Sequence, residues 1–327
     1  MYKKLKVALV IPAHNEEELI KPTLENVPRT IDRIYVIDDG STDRTVKIIK
    51  KIMKGDGRIR LIKHEKNMGV GQAIITGYKK VYKEGYDVVV VIGGDYQMDL
   101  KDLPNFLEPI HKGEADYVKG NRFLIDRRIK SKTPQGTAFK NMPNQRFWGN
   151  SILSFLVKFA SGYWKIFDTQ DGYTAIAKEA LGMINWDEAW KGYGYVGDWL
   201  ALFNVYNLRV KDVPRRAIYL KGRTQSQIKI SRYIASVVPR MIYRFFWRLK
   251  RKYIFQNFHP LILFYGLSFI LIPIGLLIGL YILWFKFTVG TITANTSILS
   301  ALFLITGFQS LLFAILFDMQ ENEKLQP

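Results

Sequence analysis

The chain has 327 residues, no cysteine and a formal net charge of +19. Such a length suggests about two domains. The composition excludes disulfide scaffolds and cysteine-based metal sites, and His14, His64, His111 and His259 show no zinc spacing. The apolar run Val7 to Ile11 is too short for a signal-peptide core and ends at Pro12.

Residues 1–228 alternate short β-type runs with helical patterns, which predicts a mostly parallel sheet covered by helices. The candidate strands are VALVIP, IYVID, IRLIK, VVVVI, ADYVKG and YTAIA. The first runs into Pro12-Ala13-His14-Asn15-Glu16. Proline ends the strand, and Asn15 is placed to cap a helix carrying Leu19, Ile20, Leu24 and Val27. The second ends in Asp38-Asp39-Gly40. Adjacent carboxylates are costly to crowd unless a donor group or a metal engages them; Asp39 suits a nucleobase N–H and Gly40 a tight turn. Further on, Asn67 to Ala73 opens a helix in which Gly69 and Gly71 let a ligand approach the backbone, without the Lys-Ser/Thr ending of a P-loop.

The run Val88 to Ile92 reads as a strand buried on both faces. It breaks at Gly93-Gly94, and Asp95, Gln97 and Asp99 follow at alternate positions, on one face of an extended segment. Open α/β sheets bind ligands beyond the C-terminal ends of their strands. Oxygen ligands there suit a hard cation, Mg²⁺ or Mn²⁺, shared with substrate phosphates. The competing reading is a plain connection in which Asp99 or Asp102 caps a helix starting near Leu103.

Residues 229–259 form a basic amphipathic zone. Ile234, Val238, Met241, Ile242, Phe245 and Leu249 make an apolar stripe at spacings of three and four. Arg240, Arg244 and Arg248 form a like-charged row that calls for an anionic partner. Between Arg209 and Lys252, fourteen basic residues face one acidic residue, Asp212. With Tyr233, Tyr243, Phe246 and Trp247 this predicts a helix in the membrane interface, bound to lipid headgroups. Arg146 to Lys165 is a second amphipathic candidate. Leu261 to Trp284 and Ile298 to Phe317 carry no charge, and each exceeds the roughly 18 residues that mark a membrane span. Pro273 should kink the first. Basic residues crowd before the first span, while the loop between the spans holds only Lys286. The positive-inside rule therefore puts both ends in the cytoplasm. The predicted parts are 1–228, 229–259, 260–318 and a tail, 319–327. Nucleic acid, the rival partner of a basic stripe, is disfavoured by the two spans.

The ordered set VIPAHNEE, VIDDGSTDRT, NMGVGQA, GGDYQMD, GNRF and DTQDGYTAI resembles the inverting family 2 glycosyltransferases, and within them the dolichyl- and polyprenyl-phosphate sugar synthases. The resemblance covers Lys6 to about Arg232. It implies a GT-A catalytic domain (Rossmann-like α/β, mostly parallel sheet) followed by amphipathic interface helices and two transmembrane helices. It implies a UDP- or GDP-sugar donor, a polyprenyl or dolichyl phosphate acceptor at the cytoplasmic face of the cell membrane, and Mg²⁺ or Mn²⁺. By matching motifs, Pro12, Ala13, Asn15, Glu16, Asp38 and Asp39 would line the nucleotide pocket, with Gly69, Gly71 and Gly94 beside the donor. Asp95 and Gln97 would hold the metal. Arg122 would face the phosphates, and Arg223, Ser226, Lys229 and Arg232 would bind the diphosphate or the acceptor phosphate.

One departure matters: Gly93 stands where the related mannose synthases carry the first Asp of this segment, which leaves Asp95 and Gln97 with the diphosphate and water, and Asp99 as a substitute ligand. A phosphate acceptor is already an anion and needs no base, whereas a sugar hydroxyl requires one. Asp168, Asp171 and Asp198 are the candidates, and with Asp95 and Arg122 they complete the expected catalytic set. Two alternatives stand beside the leading one: extension of a lipid-linked oligosaccharide or glycolipid, and a membrane-tethered sugar-nucleotide-binding module without activity. Oligomeric state is open.

Overall fold

A computed structural model describes residues 1–124, 144–216, 218, 230–290 and 294–327, leaving aside the side chains of 144–148, 150 and 230–234. Two compact units divide it: Met1–Phe245 with Lys324–Pro327, and Phe246–Glu323.

In the first unit the apolar runs form one sheet. Its strands are β1 (Val7–Ala13), β2 (Arg33–Asp38), β3 (Ile59–Lys63), β4 (Val88–Val91), β5 (Tyr117–Asn121), β6 (Thr174–Ala177) and β7 (Val210–Pro214). Their order is β3-β2-β1-β4-β6-β5-β7. All pairings are parallel except those of β6, which runs antiparallel to β4 and β5. Val88 to Val91 are at most 1% exposed, and they pair with Val7 to Val10. Helices on both faces account for that burial: α1 (Ile20–Glu25), α2 (Thr45–Met53), α3 (Val70–Lys83), α4 (Leu103–His111), α5 (Asn144–Ser161), α6 (Lys178–Met183) and α7 (Tyr195–Val205).

β7 was not among the predicted strands, because VKDVP mixes charge with two valines and shows no clear alternation; only pairing with β5 makes it a strand. Nor does TAIA encode its own reversal.

The parallel β1, β2 and β4 bring their C-terminal ends to one edge. Backbone bonds knit that edge: Asp39 N–H donates to the Ala13 carbonyl at 2.8 Å and Gly94 N–H to the Pro12 carbonyl at 3.3 Å.

Helix α8 spans Ile230–Lys250. Within the first unit its buried line is Val237, Met241, Arg244 and Phe245, while Ile242 and Tyr243 are exposed. The predicted stripe is thus rotated, and Ile242 leaves it. α5 and α8 meet where Phe159 stacks on Phe245, ring centroids 4.5 Å apart. Gly197 of α7 lets both approach: a Cβ there would lie 2.9 Å from Val157 and 3.4 Å from Met241.

The second unit holds the end of α8, a π-helical turn (Arg251–Gln256), α9 (Leu261–Thr288) and α10 (Ala294–Glu321). Both long helices are long and apolar enough to cross a membrane. α9 continues through Pro273. A seam of small residues brings the pair together, as membrane helices require where no water drives association. Ser300 Oγ donates to the Gly275 carbonyl at 2.9 Å, and a Cβ on Gly307 would lie 3.0 Å from Ile272 N. Arg248, fully buried, forks onto Asp318 at 2.7 and 2.9 Å, and Tyr253 donates to the same carboxylate.

Candidate active site

The loops after β1 and β2 are tied to each other rather than to helices. Asn15 takes a positive φ of 55°, donates its N–H to Ser41 Oγ at 3.0 Å and accepts from Thr42 N–H at 2.9 Å. It does not cap α1, whose N-cap is Leu19, without a side-chain bond. Glu16 donates its N–H to Thr45 Oγ1 at 2.8 Å. Its carboxyl is pushed up to about 7, first by burial and then by the charges of Asp95 and Asp43. Asp38 is fully buried; Oδ1 accepts from Ser41 N–H at 3.4 Å, and Oδ2 has no partner among the described residues.

The crowded pair at the end of β2 is resolved by donors. Asp39 accepts from Met68 N–H at 2.9 Å, Gly69 N–H at 2.8 Å and His64 Nδ1 at 2.7 Å. A carboxylate offers about four acceptor positions, and these donors take all but about one. Asp39 thus builds the Asn67–Gly69 loop rather than presenting a free carboxylate to a base. The glycines of that loop also answer to the chain itself. Gly69 has φ +95°, and a Cβ there would lie 2.5 Å from the Lys191 carbonyl; at Gly71 it would lie 2.6 Å from that of Trp190. What approaches the start of α3 is the Trp190–Tyr193 turn. Gly94 packs in the same way, 3.3 Å from the Pro12 carbonyl.

After β4, Asp95 accepts from Gln97 N–H at 3.3 Å. Its carboxylate lies over Gly93, where a Cβ would meet Oδ1 at 2.9 Å, so Asp95 fills the space that a side chain at 93 would enter. Burial raises its pKa, Arg215 opposes that rise and Asp171 adds to it. The Gln97 carbonyl accepts from Arg215 and from Ile218 N–H, both at 3.0 Å. Its side-chain amide has no hydrogen-bond partner among the described residues. Asp99 is engaged locally. It caps the turn Leu100–Asp102, accepting from Lys101 N–H at 2.9 Å, and pairs with Arg216.

Among the described residues no three His, Cys, Asp or Glu side chains converge on a metal position. A hard cation that draws most of its ligands from substrate phosphates needs only one or two carboxylates. Asp95 and Glu16 fit that need: both are raised by burial, and Asp95 raises Glu16 further. A divalent charge relieves such repulsion.

The three expected bases are each committed elsewhere. Arg122 forks onto Asp168 at 2.7 and 2.8 Å; burial raises that carboxyl, but the guanidinium and Lys119 more than offset it and hold it well below the usual range. Asp171 binds Arg215 Nε at 2.5 Å and accepts from Tyr173 N–H. Asp198, fully buried, accepts from Arg240 at 2.6 Å, Arg244 at 2.7 and 2.8 Å and Trp190 N–H at 3.0 Å. All three carboxylates are thus engaged by guanidinium groups. In the arginine row, Arg240 and Arg244 pair with Asp198, and Arg248 pairs with Asp318. Arg223, Ser226 and Lys229 lie outside the described residues, as does the side chain of Arg232.

Sequence reasoning missed Tyr193, which belongs to the KGYGY stretch between two helices. Its hydroxyl end is raised by burial and then by the charges of Glu16, Asp95 and Asp39. It missed Lys119 as well, a fully buried strand lysine 3.1 Å from Asp212 that donates to the Asp168 carbonyl.

The raised carboxyl of Glu16 has a measurable consequence. An unfolded glutamate titrates near 4.5 and this one near 7, so the folded state holds its proton more tightly. The contribution of Glu16 to ligand-free stability is therefore fully present below about 4.5 and is lost as pH rises through about 7; the raised Asp95 acts in the same direction. Melting temperatures from pH 5 to 8 should fall less steeply for Glu16→Gln than for the unaltered protein. Identical slopes would remove Glu16 from this role.

The family model for glycosyl transferase family 2 matches residues 8–182. A UDP-N-acetylglucosamine–dolichyl-phosphate N-acetylglucosaminyltransferase of Methanococcus voltae is 34% identical over 226 residues, covering 65% of this chain and 86% of that one. A polyprenol monophosphomannose synthase of Mycolicibacterium smegmatis is 26% identical over 64% of this chain and 76% of its own. In fold, the chain is similar to glucosyl-3-phosphoglycerate synthase of Mycobacterium tuberculosis, solved with Mn²⁺ and UDP. The TM-score is 0.52 at 19% identity, covering 75% of this chain and 80% of the other. The seven-stranded, mostly parallel sheet is that of the GT-A glycosyltransferases. Matched over more than half its length by the family model, the chain belongs to glycosyl transferase family 2.

Proposed function

We propose that this glycosyltransferase moves one sugar from a UDP- or GDP-sugar to a dolichyl or polyprenyl phosphate at the cytoplasmic face of the membrane, with inversion and with Mg²⁺ or Mn²⁺. One observation carries the choice of acceptor: Asp168, Asp171 and Asp198 are all held by arginines. A sugar hydroxyl needs a base to take its proton, and a phosphate monoanion or dianion does not. A site whose expected bases are bound in ion pairs suits the phosphate. The names of the relatives from Methanococcus voltae and Mycolicibacterium smegmatis agree with that acceptor class.

In this mechanism the acceptor oxygen attacks the anomeric carbon as the bond to the diphosphate breaks. The divalent cation, when bound, neutralises charge on the departing diphosphate. Asp95 and Glu16 would hold it, Asp95 from the end of β4 and Glu16 from the loop after β1. Arg122, fixed by Asp168, lends positive charge where acceptor and diphosphate meet. The tail and the catalytic domain share the cytoplasmic side. In support, Gln326 of the tail accepts from Lys165 N–H at 2.5 Å within the first unit.

The test is incubation of the purified full chain with Mn²⁺, labelled UDP-N-acetylglucosamine or GDP-mannose, and either dolichyl phosphate or a glycolipid. Labelled dolichyl phosphate is expected. Label appearing in the glycolipid alone would overturn the acceptor assignment.

A further inference from the structure

The turn from Trp190 to Tyr193 is built from buried bonds, yet it carries an exposed ring at its tip. Trp190 N–H donates to Asp198 at 3.0 Å, the Trp190 indole donates to the Tyr193 carbonyl at 2.9 Å, and the Trp199 indole donates to the Trp190 carbonyl at 3.0 Å. The Lys191 carbonyl accepts from Gln72 N–H at 3.1 Å, which fastens the turn to the start of α3. The Arg240 guanidinium lies 5.1 Å from the Trp190 ring centroid while binding Asp198. Gly194, with φ +81°, then turns the chain into α7. Within this rigid frame Tyr193 is 61% exposed. Its hydroxyl end lies within the field of Glu16, Asp95 and Asp39, one carboxylate from each loop of the sheet edge.

A large ring that is held firmly but left uncovered beside three ligand-facing loops lacks only the surface it would pack against. From this we infer that the Trp190–Tyr193 turn is a wall of the donor site, with Tyr193 packing its ring on the sugar-diphosphate half of a nucleoside-diphosphate sugar, and Asp198 acting as the residue that positions it. The role of Asp198 also joins two features that otherwise stand apart. The same carboxylate that holds α8 through Arg240 and Arg244 holds the turn, so the helix leading to the membrane spans and the donor wall share one anchor. This inference rests on the donor reading above.

The test uses the full chain with Mn²⁺, and calorimetric binding of UDP-N-acetylglucosamine, GDP-mannose, UDP and GDP. Tyr193→Ala should weaken the sugar nucleotide that binds by about tenfold, as expected for one lost aromatic face, and should change the bare nucleotide by less than about threefold. Tyr193→Phe keeps the ring and should retain binding within about threefold. Because the residue is exposed, both variants should melt with the unaltered protein. Arg240→Gln, which loosens the anchor but leaves Arg244 in place, should raise the donor KM and leave kcat nearly unchanged. Tyr193→Ala binding the sugar nucleotide as tightly as the unaltered protein would overturn the inference while leaving the donor reading intact. Loss in Tyr193→Phe equal to that in Tyr193→Ala would replace ring packing with a hydroxyl bond. An unaltered protein that binds none of the four nucleotides would end both.

Discussion

Asp198→Ala is expected to destabilise the first unit by about 3–5 kcal/mol, the cost of removing one member of a buried ion pair. Asp198 is 0% and Arg244 1% exposed, so the alanine would leave a guanidinium in the interior with no carboxylate beside it. It would also free Trp190 N–H and with it the turn over α3. Thermal or denaturant unfolding of the full chain in detergent measures the loss. A base at this position predicts another pattern: kcat lost, melting temperature unchanged. Should Asp198→Ala melt with the unaltered protein, the anchor assignment fails. Asp198→Asn keeps one acceptor oxygen for the arginines and should fall between the two.

The second large effect belongs to Asp95. Asp95→Ala is expected to lower metal-dependent turnover by about 10²–10³-fold, the scale of losing one preorganised group that stabilises developing charge. The reason lies in the departure at Gly93. With no carboxylate there, and with Asp95 lying over the space, the end of β4 offers one acidic side chain to a cation. A second, independent readout is the Mn²⁺ dependence of nucleotide binding, which should vanish in the variant. Folding should survive, because burial already disfavours this carboxylate and its replacement removes a penalty. A fully active Asp95→Ala would sink the assignment.

The strands buried on both faces were readable in the sequence because a continuous valine or isoleucine run has few other places to lie. The two long apolar helices were readable for a similar reason: a long uncharged stretch is costly to solvate. Site residues were harder, because a carboxylate's role depends on what faces it. Asp39, Asp168, Asp171 and Asp198 all sit in motifs that suggest ligand contact. In the fold Asp39 is engaged by two backbone amides and a histidine, and the other three by guanidinium groups. The basic stretch from Arg209 onward shows the same limit. Its excess charge in one dimension meets carboxylates from distant segments in three: Arg209 on Asp116, Lys211 on Glu114, Arg216 on Asp102, Arg248 on Asp318.

The family was legible through the resemblance of the ordered motifs, and local patterning, read by itself, determined the sheet's apolar strands and the two long apolar helices. Each is a property of neighbouring residues and their periodicity. Tertiary structure alone decided which acids remain available. The ion pairs that hold them join residues far apart, 42 positions for Asp198 with Arg240 and 114 for Asp102 with Arg216, and no local pattern records such a partner. At the sheet edge Asp38, Asp95 and Glu16 form no ion pair among the described residues, whereas Asp198, which looked like chemistry, is bound by Arg240 and Arg244.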